Sequence, residues 1–98
     1  MEIDLLYVPD CPNRPLARRH LAAALSQIKR VAVIREREVR SSEEAARLGM
    51  RGSPTILISG RDPFAEGTDV EALACRLYRT ELGYSGAPTV EQFIEALR

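Results

Sequence analysis

Hydrophobic and polar positions along the chain change from strand-like to helical spacing and back. Residues 3 to 8 form a largely apolar run that ends at Pro9, which predicts a strand buried on both faces or nearly so. From Pro15 to Lys29, apolar side chains recur at helical spacing and most polar ones fall on the other side, which predicts the first helix. Residues 31 to 39 are rich in β-branched side chains and then alternate in charge, as expected of a strand along a sheet edge.

Boundary signals mark the middle of the chain. Ser41 is followed by Glu44 at the spacing of a capping box, and Gly49 supplies a C-terminal stop, so we predict a short second helix between them. An apolar strand is predicted over residues 55 to 59. Pro54 stands at its mouth, a position that proline can occupy without breaking a ladder.

The last third of the chain allows two interpretations. Residues 70 to 80 fit a helical stripe, but residues 74 to 80 also alternate as a strand. We predict the strand, because the strand at 55 to 59 needs an antiparallel neighbour. Thr89 opens a final helix in which Gln92 is placed to cap back to it. The predicted order is βαβ, a short helix, and then ββα.

Composition and charge limit the expected partners. We predict one α/β domain over residues 1–98, with no internal repeat. Basic and acidic residues number 14 each, so no net field favours nucleic acid or an anionic membrane. No apolar run approaches the roughly 20 residues that span a bilayer, and the acidic, strand-like start is unlike a targeting leader. We therefore expect a cytoplasmic protein with neither nucleic-acid nor membrane partners.

Two cysteines are the candidate chemical groups. Cys11 and Cys75 are 64 positions apart, which is not a metal-finger spacing. In a reducing compartment a permanent disulfide between them is not expected. The sequence thus predicts free thiols, with no metal and no cofactor.

Cys11 is the candidate nucleophile, because the turn after the first strand delivers it to the start of a helix. The partial positive charge and unpaired N–H groups of a helix N-terminus make a sulfur there easier to ionise. Arg14 adds cationic charge, whereas Asp10 would oppose ionisation and is interpreted as a turn or capping residue. His20, more than a turn into the helix, is interpreted as a packing residue. A cysteine that merely sits in a turn remains the alternative.

The element order and four short motifs resemble the thioredoxin and glutaredoxin superfamily over nearly the whole chain. The motifs are Cys11-Pro12-Asn13, Gly52-Ser53-Pro54-Thr55, Asp62-Pro63-Phe64 and Cys75-Arg76-Leu77-Tyr78-Arg79-Thr80. More narrowly, they look like small bacterial thioredoxin-like proteins of poorly defined activity, some of which carry an alkylmercury lyase name.

The resemblance implies a thioredoxin-like fold, a four-stranded mixed sheet flanked by helices. It also implies a cis peptide bond before Pro54, set against the Cys11 loop, with the Ser53 backbone free to pair with an extended thiol substrate. Cys11 would be catalytic, and the substrate would be bound by Pro12, Asn13, Arg14, Ser53, Pro54 and Thr55.

The chain departs from that family at the position of the second active-site cysteine, where Arg14 stands. Superfamily members that reduce disulfides unaided resolve the mixed disulfide with that second thiol. Here an external low-molecular-weight thiol or a protein thiol would have to resolve it. Cys75 is the internal alternative, but we predict it at the far end of the sheet, as a buried structural cysteine. The glycine and aspartate cluster of glutaredoxins is also missing before the last helix, so specificity for glutathione stays open.

Three functions follow as hypotheses. The first is monothiol thiol–disulfide exchange through Cys11, and the second is a non-catalytic thioredoxin-like binding or adaptor module. The third is the handling of soft metals or organomercurials, because thiolates prefer mercury, copper(I) and zinc. Carbon–mercury cleavage would need a second thiol near Cys11. The substrate, the oligomeric state and whether the protein is an enzyme at all are left open by the sequence.

Overall fold

The protein is a mixed α/β structure in the computed structural model, which describes residues 1–65 and 72–98. Three helices and a mixed sheet are formed within those ranges. The elements in chain order are β1 (Glu2–Tyr7), α1 (Arg14–Gln27), β2 (Val33–Glu38), α2 (Ser42–Leu48), β3 (Arg51–Ser53), β4 (Thr55–Ile58), β5 (Ala72–Cys75), β6 (Tyr78–Thr80), β7 (Gly83–Ser85) and α3 (Val90–Leu97).

Strand β1 is the centre of the sheet, whose order is β2-β1-β4. β2 runs parallel to β1, and β4 runs antiparallel to it. Parallel neighbours need a crossover, which α1 provides, so the predicted βαβ start is confirmed. β2 begins at Val33, two residues later than predicted, and its charged residues 35 to 37 are exposed at the sheet edge.

The two faces of the sheet carry separate cores because successive side chains of β1 point to opposite sides. Leu5 packs on one face with Leu21 of α1 and Phe93 of α3. Leu6 packs on the other face with Met50 and the side chains of α2. Helices α1 and α3 therefore share one face, and the short α2 covers part of the other.

Helix boundaries agree with the capping signals. The Ser41 hydroxyl accepts a hydrogen bond from the Glu44 N–H at 3.1 Å, and Gly49 ends α2 with a left-handed φ of 76°. Thr89 and Gln92 form a complete capping box at the start of α3. Within the described ranges, no helix is long and apolar enough to cross a membrane.

The strand predicted over residues 74 to 80 is wrong in its extent and its partner. It is divided into β5, which pairs in parallel with β3, and β6, which forms a hairpin with β7. Among the described residues the main sheet has three strands instead of four. Local alternation predicts extended backbone, but the strand that becomes its neighbour depends on contacts far along the chain.

Candidate functional site

Cys11 lies in the loop between β1 and α1, where the sequence pattern places it. Its N–H donates to the Val8 carbonyl at 3.2 Å, and its carbonyl accepts from the Arg14 N–H at 3.4 Å. Asp10 has a left-handed φ of 59°, a conformation that aspartate tolerates better than most residues. These contacts turn the chain from strand into helix and leave Cys11 with 8% of its surface exposed.

A depression of about 270 Å³ opens beside Cys11. It lies over the C-terminal ends of β1 and β2, where Tyr7 and Glu38 are paired. The carboxyl ends of parallel strands, next to a helix N-terminus, are a common position for ligands in α/β proteins. The depression is lined by Tyr7, Asp10, Cys11, Arg14, Pro15 and Glu38.

Arg14 is held at this depression by two contacts. Its guanidinium carbon lies 4.4 Å from the centre of the Tyr7 ring, and its Nη1 lies 3.8 Å from Oε1 of Glu36. The same carboxylate lies 3.7 Å from Nε of Arg18. These pairs are partly exposed, so each contributes at most about 1 kcal/mol. Their main effect is to orient Arg14. The carboxylate of Glu36 also balances the positive charge of Arg14, so that this charge does not act on Cys11 alone.

The loop that carries Pro54 is attached directly to the end of β1. The peptide bond between Ser53 and Pro54 is cis, as the resemblance implies. The Ser53 hydroxyl accepts a hydrogen bond from the Val8 N–H at 3.0 Å. Val8 in turn accepts from Cys11, so one residue connects the cis-proline loop with the Cys11 loop.

The side chains of Ser53, Pro54 and Thr55 are all buried. The Thr55 hydroxyl accepts from the Arg51 N–H at 3.0 Å and donates to the Gly52 carbonyl at 2.5 Å. Both hydroxyls are thus used in internal hydrogen bonds that shape the loop. The three residues therefore stabilise the loop beside Cys11. Their buried side chains cannot contact a substrate in this conformation, contrary to expectation.

Strand β5 covers the edge of β3 that an extended substrate was expected to use. The Ser53 carbonyl accepts a hydrogen bond from the Arg76 N–H at 3.0 Å, so it is not free. Gly52 permits this close approach, because a Cβ there would lie 2.8 Å from Cβ of Arg76. Cys75 is in register with Ser53 and is exposed. The prediction of a buried cysteine at the far end of the sheet is therefore wrong.

A buried ion pair anchors the segment that follows β5. Nη1 of Arg76 lies 2.6 Å from Oδ2 of Asp62, and the two side chains are 6% and 5% exposed. The guanidinium carbon lies 4.4 Å from the centre of the Tyr78 ring, whose hydroxyl donates to the Pro54 carbonyl. Sequence reasoning missed this network. The available signal was that Arg76 alternates with Ala74 and Tyr78, because an arginine on the same strand face as these side chains needs a counter-ion if that face is buried.

The remaining expected site residues have structural contacts or are exposed. Pro12 is exposed. Asn13 packs over Gly86 so closely that a Cβ there would lie 2.3 Å from Cγ of Asn13. Nδ1 of His20 donates to the Pro88 carbonyl at 2.8 Å, which joins α1 to the segment before α3. This contact agrees with the interpretation of His20 as a packing residue.

Other features of the surface do not select a different site. Depressions of about 310 and 470 Å³ lie elsewhere, one beside Tyr84 and one beside Leu57, but neither contains a cysteine. In residues 1–65 and 72–98, no group of three or more His, Cys, Asp or Glu side chains is arranged to hold a metal ion. Cys11 and its neighbours remain the candidate site on chemical grounds.

Fold and site together define a mixed α/β protein with a cysteine between its central strand and first helix, next to a cis-proline loop. No protein-family model matches the chain, and no significant similarity to a curated protein or a solved structure is found. The functional argument therefore depends on the geometry of the described residues.

Proposed function

We propose that this chain is a thioredoxin-like protein that carries out thiol–disulfide exchange through Cys11. The observation that carries the proposal is the contact between two loops that are far apart in sequence. Ser53, which precedes the cis-proline, is hydrogen-bonded to Val8, and Val8 is hydrogen-bonded to Cys11. The candidate nucleophile and the cis-proline loop lie at the same end of the central strand, which supports the proposal.

The arrangement of the elements supports the thioredoxin-like assignment. β1 is parallel to β2 and antiparallel to β4, and α1 and α3 pack on the same face. The short β5 and the β6–β7 hairpin replace the expected fourth strand in the described part of the chain. The assignment thus relies on the β2-β1-β4 core and on the two loops at the end of β1.

The proposed chemistry is a displacement at sulfur. The Cys11 thiolate attacks one sulfur of a disulfide, forms a mixed disulfide and releases the other sulfur as a thiolate, which takes up a proton. The depression beside Cys11 provides room for a low-molecular-weight thiol. Arg14 follows Cys11 where a second cysteine would give a dithiol motif, so a second thiol must release the bound group.

The burial of the site favours the second candidate function, a non-catalytic binding module. Cys11 is 8% exposed, and Ser53 and Thr55 are fully buried. A thiolate that cannot be reached does not exchange. Reactivity of Cys11 in the folded chain therefore distinguishes exchange from binding alone. Soft-metal handling stays a prediction from the resemblance.

The test is modification of the folded protein by oxidised glutathione, followed by intact-mass analysis and peptide mapping. We expect one glutathionyl group on Cys11 in the Cys75→Ser variant and none in a Cys11→Ser/Cys75→Ser variant. The urea-unfolded Cys75→Ser chain shows how reactive the same thiol is without the fold. Exchange is refuted if Cys11 reacts at least tenfold more slowly in the folded chain than in the unfolded one.

A further inference from the structure

We infer that Cys75 is the resolving thiol for Cys11, so that the chain works with two cysteines from different elements. This inference rests on the exchange chemistry proposed above. Its first support is the β3–β5 ladder, in which Cys75 is the residue directly opposite Ser53. A register shift between Arg51 and Ser53 makes this ladder irregular, and neighbouring strands lie about 4.8 Å apart. Cys75 is also exposed, so its thiol is accessible.

Ser53 connects the two cysteines in space. On one side it is paired with Cys75, and on the other its hydroxyl lies 3.0 Å from the Val8 nitrogen. The Val8 carbonyl lies 3.2 Å from the Cys11 nitrogen. Two residues thus separate the cysteines across the fold, although 64 positions separate them in sequence. A disulfide needs Cα atoms within about 4.4–6.8 Å, so the proposal requires β5 to bring Cys75 to that distance from Cys11.

The direction of approach suits a displacement at sulfur. β1 has β2 on one side and β4 on the other. The depression beside Cys11 includes Glu38 of β2 but neither Ser53 nor Cys75, whereas Ser53 is joined to β4 through Pro54. A small thiol bound to Cys11 in the depression would therefore leave through an opening that Cys75 does not line. Attacking and leaving sulfurs lie on opposite sides of the central sulfur in such a reaction.

The proposed sequence balances with a low-molecular-weight disulfide as the oxidant. The Cys11 thiolate attacks the small disulfide and breaks the S–S bond of that disulfide. This step forms a mixed disulfide with Cys11 and releases one small thiolate. The Cys75 thiolate then attacks Sγ of Cys11, forms the Cys11–Cys75 disulfide and releases the second small thiolate. The two cysteines lose two electrons and two protons, and the small disulfide gains them as two thiols.

The experiment follows the lifetime of the mixed disulfide. Wild type and Cys75→Ser are treated with oxidised glutathione, the remaining thiols are blocked with N-ethylmaleimide at successive times, and intact masses are recorded without reductant. Wild type should pass through the Cys11 adduct to a species two hydrogens lighter than the reduced chain. The adduct should persist at least tenfold longer in Cys75→Ser.

Two controls test whether position matters. In a Cys75→Ser/Leu77→Cys variant the thiol moves to an exposed residue outside the β3–β5 ladder, and the adduct should persist as in Cys75→Ser. In urea, wild type should form the internal disulfide at least tenfold more slowly than the folded chain. Equally fast closure in urea, or rescue by the cysteine at position 77, would overturn the inference.

The outcomes separate this inference from the proposed function. If the Cys11 adduct forms and lasts equally long in wild type and Cys75→Ser, Cys75 is not the resolving thiol, and monothiol exchange stands. If the folded chain forms no Cys11 adduct in either protein and no internal disulfide, both proposals fail together. An internal disulfide that forms only with Cys75 and within the folded chain supports both.

Discussion

Replacement of Asp62 by asparagine tests whether a buried ion pair holds the segment after β5 against the loop that follows β4. The carboxylate receives two guanidinium N–H groups of Arg76, at 2.6 and 3.4 Å, and the Phe64 N–H at 2.9 Å. Arg76 also donates to the Phe64 carbonyl at 3.0 Å. The substitution keeps the shape of the side chain and removes its charge.

The expected cost follows from the burial of both partners. Breaking a buried pair costs about 3–5 kcal/mol, whereas an exposed pair contributes at most about 1 kcal/mol. Asparagine can still accept a hydrogen bond from the Phe64 N–H, so we expect the lower end, about 3 kcal/mol. For a domain of this size, that corresponds to a fall in melting temperature of about 12–24 °C.

Urea unfolding followed by far-UV circular dichroism measures the loss, since the chain has no tryptophan to report by fluorescence. The matched control is Glu95→Gln, which removes an exposed pair with Arg98 at 3.9 Å. That change should lower the free energy of unfolding by less than about 1 kcal/mol. The reasoning is refuted if the two variants differ by less than 1 kcal/mol.

Two further substitutions test the β3–β5 contact and the start of α3. Gly52→Ala places a Cβ 2.8 Å from Cβ of Arg76, whereas Gly60→Ala has a similar positive φ and no atom within 4 Å. Both substitutions lose the conformational freedom of glycine, so the difference between them reports the close contact. We expect Gly52→Ala to lower the free energy of unfolding by about 1–3 kcal/mol more than Gly60→Ala does. Equal losses in the two variants would argue against the close contact. Thr89→Ala breaks the capping box with Gln92, and urea titration should show a loss of about 1 kcal/mol. No loss would mean that α3 does not depend on its cap.

Local signals predicted the elements whose causes lie within a few residues. Ser41 and Thr89 mark helix starts because their hydroxyls bond to N–H groups three residues on. The position of Cys11 follows from a strand and a helix that are adjacent in sequence. The predicted location of Cys75 was wrong because the strand with which an extended segment pairs is determined by contacts between residues far apart in sequence. The ion pair of Asp62 with Arg76 joins residues 14 positions apart, which no periodic pattern registers.

The most consequential difference from expectation is the occupied edge of β3. A protein substrate that paired with Ser53 in an extended form would have to displace β5, because the Ser53 carbonyl already accepts from Arg76. A low-molecular-weight disulfide meets no such barrier, since it can approach Cys11 through the depression that Tyr7 lines on the other side of β1. Under the proposed exchange, the covered edge favours a small thiol over a protein thiol as the partner of Cys11. It also places Cys75 opposite Ser53, at the edge that the resemblance left free for a substrate.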